Sequence, residues 1–228
     1  MIARYDTKTI VIAIAALIVA VALLSWGYSA HKKSGANKTI LALVTDTGAR
    51  LRDALESEAA PPPTDRAGLV KKLDEHAATV DLSLQTLKKL DAASVQALAD
   101  AADDYIVTAR EILKKQADSH RYRLLLAESS QALRDHLRHD NHTRAWIQEA
   151  VKVKERVNKD YRGYNLAASL LDKLLGSFSA LQKKIAPHAG RAVLIEDSLV
   201  ADAHGRVQDD MKAVAAQFEK LGQIAAPK

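Results

Sequence analysis

From residue 69 to residue 162 the chain contains neither glycine nor proline, and this absence narrows its possible folds more than any other feature. Strands need turns between them, and tight turns draw on these two residues, so such a stretch reads as long helices. The apolar residues within it agree. Val70, Leu73, Ala77, Val80, Leu84 and Leu87 alternate steps of three and four, the a and d spacing of a coiled-coil-like seam. A second run, Val95, Leu98, Ala102, Tyr105, Ala109 and Ile112, resumes in register at Leu126, Leu133 and Leu137. The longest runs from Trp146 through Ala150, Val153, Val157, Asp160, Tyr164, Ala167, Leu171, Leu174, Phe178 and Leu181 to Ile185. Ile40, Val44, Thr47 and Leu51 precede these runs. Val200, Ala203 and Val207 follow them, with a four-residue stutter to Met211, Val214, Phe218 and Leu221.

The joints are legible as well. Pro61-Pro62-Pro63 ends one helix, and Thr64 or Asp65 can cap the next. His139-Asp140-Asn141-His142-Thr143 is a turn rich in cap residues, and Pro187-His188-Ala189-Gly190 is another. Asp91 or Ser94 can open a helix after Leu90, although one continuous helix through 64–139 is the alternative. The expected helices span 37–59, 64–90, 92–139, 143–186 and 190–224, joined by short turns that make neighbours antiparallel. At 1.5 Å per residue the third and fourth reach roughly 70 Å, against about 40 Å for the second. Their hairpin must therefore project unless one of them bends, and Lys114 to Arg123 is the expected bend because Gln116 and Ser119 occupy its seam positions. The expected fold is all-α: an antiparallel coiled-coil-like bundle with a long projecting hairpin, behind a single N-terminal transmembrane helix.

That transmembrane helix rests on a different pattern. No side chain from Thr9 to Ala30 is charged, and Ile10 to Leu24 is continuously apolar. About 22 helical residues span roughly 33 Å, enough for a hydrocarbon core of about 30 Å. Tyr5, Trp26 and Tyr28 stand where an interfacial aromatic belt would lie, and Arg4, Lys8, Lys32 and Lys33 close the two ends. The chain thus divides into a short tail (1–8), a single-pass signal-anchor (9–30) and a helical domain (31–228). Cleavage as a signal peptide is the alternative, but the apolar run is long for one and Tyr28 spoils cleavage after Ala30, leaving only weaker sites after Gly27 or Ser29. A short tail before a large domain places that domain outside the cytoplasm, most simply across a bacterial inner membrane. Lys32, Lys33 and Lys38 against Arg4 and Lys8 argue mildly the other way.

Composition excludes several chemistries. Aromatic residues make up only 4% of the chain, which suits narrow helical seams rather than a thick mixed core. A net charge of +5, from 33 basic and 28 acidic side chains, is too small and too interspersed for a nucleic-acid reader. Cysteine is absent, which removes thiol catalysis, thiolate metal sites and haem attachment. A di-iron bundle needs Glu-x-x-His on two helices, and none of the eight histidines has an acid three residues before it. There is no phosphate-cradling glycine loop and no His-Glu-x-x-His, and Ser29-x-x-Lys32 falls at the membrane edge. Neither an enzyme nor a resident cofactor is expected.

Two groups of residues stand out. The hairpin tip gathers Arg134, His136, Arg138, His139, His142 and Arg144, within a region, 110–162, holding thirteen Lys or Arg against eight Asp or Glu. His136 and His139 share a helix face at metal-ligand spacing, but His142 falls across the turn. Solvated tip histidines are the simpler reading, and no metal is assigned. The second group centres on Asp160, a carboxylate on an apolar seam with Arg156, Tyr161 and Tyr164 within a turn of it. It reads as a buried polar or ligand pocket, or as a device that fixes register. The architecture is similar to that of the extracytoplasmic bundles of membrane-anchored sensors and envelope adaptors, with no diagnostic motif. The expected function is that of a non-enzymatic interaction or scaffold protein of the cell envelope, meeting a protein partner through its bundle and compatible with homo-oligomers. A ligand-sensing bundle and an accessory subunit of a larger membrane complex are the alternatives.

Overall fold

Cap residues and prolines set the joints between helices. In a computed structural model, residues 35–58, 65–139, 143–189 and 194–224 are described, and among them every regular element is helical. Five helices follow one another: α1 (35–58), α2 (Arg66–Lys89), α3 (Gln96–Arg138), α4 (Arg144–Ala189) and α5 (Asp197–Ile224). The expected tail and transmembrane segment lie outside the described residues, and no described helix is long and apolar enough to cross a membrane.

Asp65 caps α2, its carboxylate accepting from the Gly68 amide at 2.8 Å. The helix ends at Leu90, whose extended backbone (φ −76°, ψ 134°) breaks any continuous helix through 64–139. One turn of 3-10 helix, Ala93–Val95, then leads into α3, with the Asp91 carboxylate accepting from the Ala93 amide. Thr143 Oγ1 accepts from the Trp146 amide and caps α4. Pro187 does not stop α4 where a breaker would be expected to. It sits in the last turn, where its missing N–H forfeits a single bond, and the helix runs to Ala189.

Contacts between named side chains fix the packing. Asp53 of α1 meets Lys72 and His76 of α2, and Arg110 and Arg121 of α3 reach Asp81 and Asp74 of α2. The Lys72 bond holds the Asp53 carboxyl below its ordinary value against a smaller opposing effect of burial. At Asp81 burial pushes upward, but the bonds from Arg110 and Lys114 outweigh it and the carboxyl is again lowered. Tyr105 of α3 packs on Phe178 of α4 with centroids 5.2 Å apart, and Gln182 of α4 bonds Asp197 of α5. Helices α2 to α5 therefore run antiparallel in succession. α1 touches α2, α3 and α5.

The core falls into two parts. The proximal core takes Ile40 to Leu55 of α1, Leu69 to Leu87 of α2, Leu98 to Ala117 of α3, Leu171 to Ile185 of α4, Ile195 just before α5, and Val200 to Val207 in its first half. Burying each large side chain there contributes roughly 1.5–3 kcal/mol. α3 is its central rod, and no residue from Tyr105 to His120 is exposed. That explains a second buried stripe, Ala99, Ile106 and Leu113, beside the heptad positions. The distal core has only α3, α4 and α5, through Leu126, Leu133, Val157, Tyr164, Ala168, Val214 and Leu221. α5 thus accompanies the hairpin for much of its length. In α2 the first seam position passes from Val70, which is half-buried, to Leu69.

α3 also runs unbroken through Lys114 to Arg123, where a bend was expected. Polar residues on a seam suggest a weak point only when they lack partners. Here Gln116 has one, as described below.

Candidate functional site

The hairpin tip is closed by a reciprocal clasp. His136 Nε2 lies 2.9 Å from the Trp146 carbonyl oxygen, Trp146 Nε1 donates to the His136 carbonyl oxygen at 3.2 Å, and the two rings stack at 4.9 Å. His136 is therefore a structural residue, half-buried across the joint. Of the other residues expected at the tip, Arg138 and His139 are exposed, with Arg138 paired to Asp135 and His139 Nδ1 against the Asp135 carbonyl. Arg144 is exposed and Arg134 is half-buried against Gln131, while His142 lies outside the described residues. Among the described residues no three His, Asp or Glu side chains converge as a metal site.

Sequence reasoning overlooked two apolar neighbours of these cations. Ile147 and Val151 of α4 are each 51% exposed, beside Arg144, Lys152 and Lys154. Ile147 precedes Tyr161 by fourteen residues, two heptads, so it continues the stripe on which Tyr161 stacks against Phe218 of α5, at 3.9 Å. Six residues after Phe218, α5 reaches Ile224, roughly level with residue 155 of α4. Ile147 and Val151 lie one to two turns beyond.

The four residues grouped around Asp160 are not one pocket. Arg156 points outward to Glu128 at 3.1 Å, and Tyr161 is spent on Phe218. Tyr164 donates to Asp210 at 2.6 Å beneath Arg123, whose guanidinium lies 5.8 Å from the ring centroid. Burial first, and then the Asp210 bond, raise the Tyr164 hydroxyl well above its ordinary value. Asp160 itself is buried, and its Oδ2 has no hydrogen-bond partner among the described residues. None of the described grooves is lined by it.

A polar junction lies where α1 and α2 meet near the middle of α3. Glu58 accepts from Gln116 Nε2 at 2.7 Å and from His120 Nε2 at 2.8 Å. Arg66 Nη1 lies 3.2 Å from His120 Nδ1. A guanidinium only donates, so Nδ1 accepts and the ring proton sits on Nε2, aimed at Glu58. On the other side of α1, Arg206 of α5 donates to the Leu55 carbonyl at 3.1 Å. Gln116 and His120, four residues apart on one face of α3, were the sequence signal for this junction.

Beyond the junction, a groove of about 410 Å³ opens between α3 and α5. Leu126, Val214, Phe218 and Leu221 line its apolar part, and Arg123, Arg134 and Lys220 are its cations. No carboxylate lines it. Arg123 pairs through Nη2 with Asp210 at 3.3 Å, while its buried Nη1 has no partner among the described residues.

No family model, no curated protein and no solved structure matches this chain, so any functional assignment rests on the arrangement of its own residues.

Proposed function

We propose that this chain is a membrane-tethered, non-enzymatic interaction protein of the cell envelope. Residues Thr9 to Ala30 hold it in the bilayer, the helical domain stands on the extracytoplasmic side, and the distal end of the α3–α4 hairpin meets a protein partner. One observation carries the reading: Ile147 and Val151 stand exposed past the level that α5 reaches, beside Arg144 and Lys154, with Glu155 and a Lys152–Glu149 pair completing a charged rim. An apolar patch rimmed by charge is the usual composition of a protein contact, with the apolar residues giving affinity and the cations selecting an acidic counterpart.

Photo-crosslinkers placed at Ile147 and Val151 in intact membranes test the proposal. One discrete adduct is expected, lost on Arg144→Glu with Lys154→Glu. Self-adducts only, or no adduct at all, would overturn it. For the tether, the full chain should stay with membranes through alkaline extraction, whereas residues 35–228 alone should be released. Release of the full chain would refute the anchor.

A further inference from the structure

We infer that His120 is a proton-operated switch between α1 and α2: the neutral ring holds both helices to α3, and the protonated ring keeps α1 and lets go of α2. This goes beyond the tip contact proposed above and does not depend on it.

Among the described histidines, His120 is the one whose two ring nitrogens both engage side chains of other helices. Nε2 lies 2.8 Å from Glu58 Oε1 of α1, and Nδ1 lies 3.2 Å from Arg66 Nη1 of α2. The two partners make opposite demands. Ionised Glu58 only accepts and Arg66 only donates, so the bridge exists solely in the neutral tautomer with its proton on Nε2. The ring is 7% exposed and has no outward position to adopt. A second proton must therefore go to Nδ1. An imidazolium donates from both nitrogens, so Arg66 loses its acceptor and two cations stand at contact distance. On the other side the bond to Glu58 becomes charge-assisted and tightens. One proton thus moves the ring's hold from two helices to one.

Arg66 has little else to keep it in place. It is the first residue of α2, where the helix dipole disfavours a cation, and Asp65 beside it is committed to the Gly68 amide. The other charged groups at this height have partners of their own. On α3, Arg121 turns to Asp74 and Asp118, and Arg123 pairs with Asp210. From α4 comes Tyr164, bonded to Asp210, and from α5 come that same Asp210 and Arg206, which donates to the Leu55 carbonyl. Residues 59–64 carry no ionisable side chain. Histidine is the side chain that ordinarily changes charge between about pH 5 and 8, so mild acid is the signal such a device reads.

The test uses the full chain in mild detergent. Ring nitrogen resonances of isotope-labelled histidine should show His120 bare at Nδ1 at about pH 7.5 and protonated there at about pH 5. Over the same interval, amide protection of Leu69 to Leu73, in the first turns of α2, should fall about tenfold or more, the factor that a hydrogen bond to a charged group is worth. Protection of Val80 to Leu84, farther along the same helix, should hold. His120→Gln should abolish the response. Arg66→Leu, which leaves the histidine in place, should abolish it too. Asp65→Ser keeps a cap oxygen that does not titrate and should preserve it. A neutral ring protonated on Nδ1, or first-turn protection indifferent to pH, would overturn the inference. So would a response that survives in His120→Gln or Arg66→Leu, or one lost in Asp65→Ser, which would make the cap carboxylate its source.

Discussion

Replacing Glu58 by alanine is the most direct test of how α1 is held to the rest of the bundle. Its carboxylate is the shared acceptor for Gln116 Nε2 and His120 Nε2, at 2.7 and 2.8 Å. Gln116 is 0% exposed and His120 7%, so neither can turn outward to find water. A buried donor stripped of its acceptor costs about 1–3 kcal/mol. Two donors, with some water entering from the partly exposed side of Glu58, give an expected loss of roughly 2–5 kcal/mol. For a chain of this length each kcal/mol moves the midpoint by about 2–4 °C, so Tm should fall by roughly 4–20 °C.

Far-UV circular dichroism of the full chain in mild detergent reads this directly. Glu58→Gln separates the acceptor from the charge. It keeps one carbonyl oxygen and should recover about half of the loss, since one of the two donors stays bonded. Glu58→Ala combined with Gln116→Leu should be less damaging than Glu58→Ala alone, because an orphaned donor is removed with its acceptor. If Glu58→Ala changes stability by less than about 0.5 kcal/mol, an ordinary surface effect, then this junction does not hold α1.

Three further outcomes follow from other contacts. A Cβ on Gly163 would fall within the Tyr122 ring, so Gly163→Ala should destabilise by about 1–3 kcal/mol despite better helix propensity. In a Tyr122→Ala background the same change should instead stabilise by up to about 1 kcal/mol, and an unchanged sign in a urea-unfolding cycle would refute the close approach. Asp160→Leu should raise the urea midpoint, because a buried carboxylate oxygen without a partner gives way to packed carbon; a lower midpoint would mean the carboxylate is well satisfied. Acid stability should depend on Asp53 and Asp81, both held below their ordinary value by cationic neighbours that outweigh burial. With folded values depressed, the unfolded chain binds more protons as pH falls. The stabilisation is complete above about pH 5 and is lost as pH drops through the folded values. Asp53→Asn with Asp81→Asn should flatten that acid limb in urea midpoints measured against pH, and an identical slope would exclude these two carboxylates as its source.

Much of the helical layout was legible because heptad spacing and breakers are local signals. The seam from Leu73 to Leu87 of the second helix and the Thr143 cap are each set within a few residues of sequence, whereas the break at Leu90 was only one of two readings. What escaped was whatever depends on several helices meeting at one height. Gln116 read as a weak point on its own helix, because its partner Glu58 stands 58 positions away on α1. His136 read as a contact residue because nothing local shows that Trp146 folds back over it. The second buried stripe of α3 was missed for a related reason: a single heptad describes a helix packed on one side, whereas α3 has neighbours on several sides between Tyr105 and His120. Asp160 was rightly singled out as a carboxylate on a seam, but its three supposed companions face different neighbours.

Unequal helix lengths connect these features. When helices of a bundle stop at different heights, each longer neighbour keeps the stripe that the shorter one was covering, and beyond that end the stripe faces outward. The last described turn of α1 lies level with Gln116 and His120 of α3, and among the described residues the core beyond that level is built from α3, α4 and α5 alone. α5 reaches Ile224, and past that level α4 still carries Ile147 and Val151 on the stripe that Tyr161 uses. That end of α4 has the pattern of a helix-packing face. Apolar side chains left exposed at such ends are penalised in a free monomer, at about 25 cal/mol for each Å² of apolar surface in water, and that penalty is returned only when something covers them. Lengthening α5 by two helical turns with alanine-rich sequence should cover Ile147 and Val151. Ile147 crosslinks would then vanish while the thermal unfolding midpoint holds or rises; crosslinks that persist unchanged would show that the stripe beyond Ile224 is not a packing face for α5.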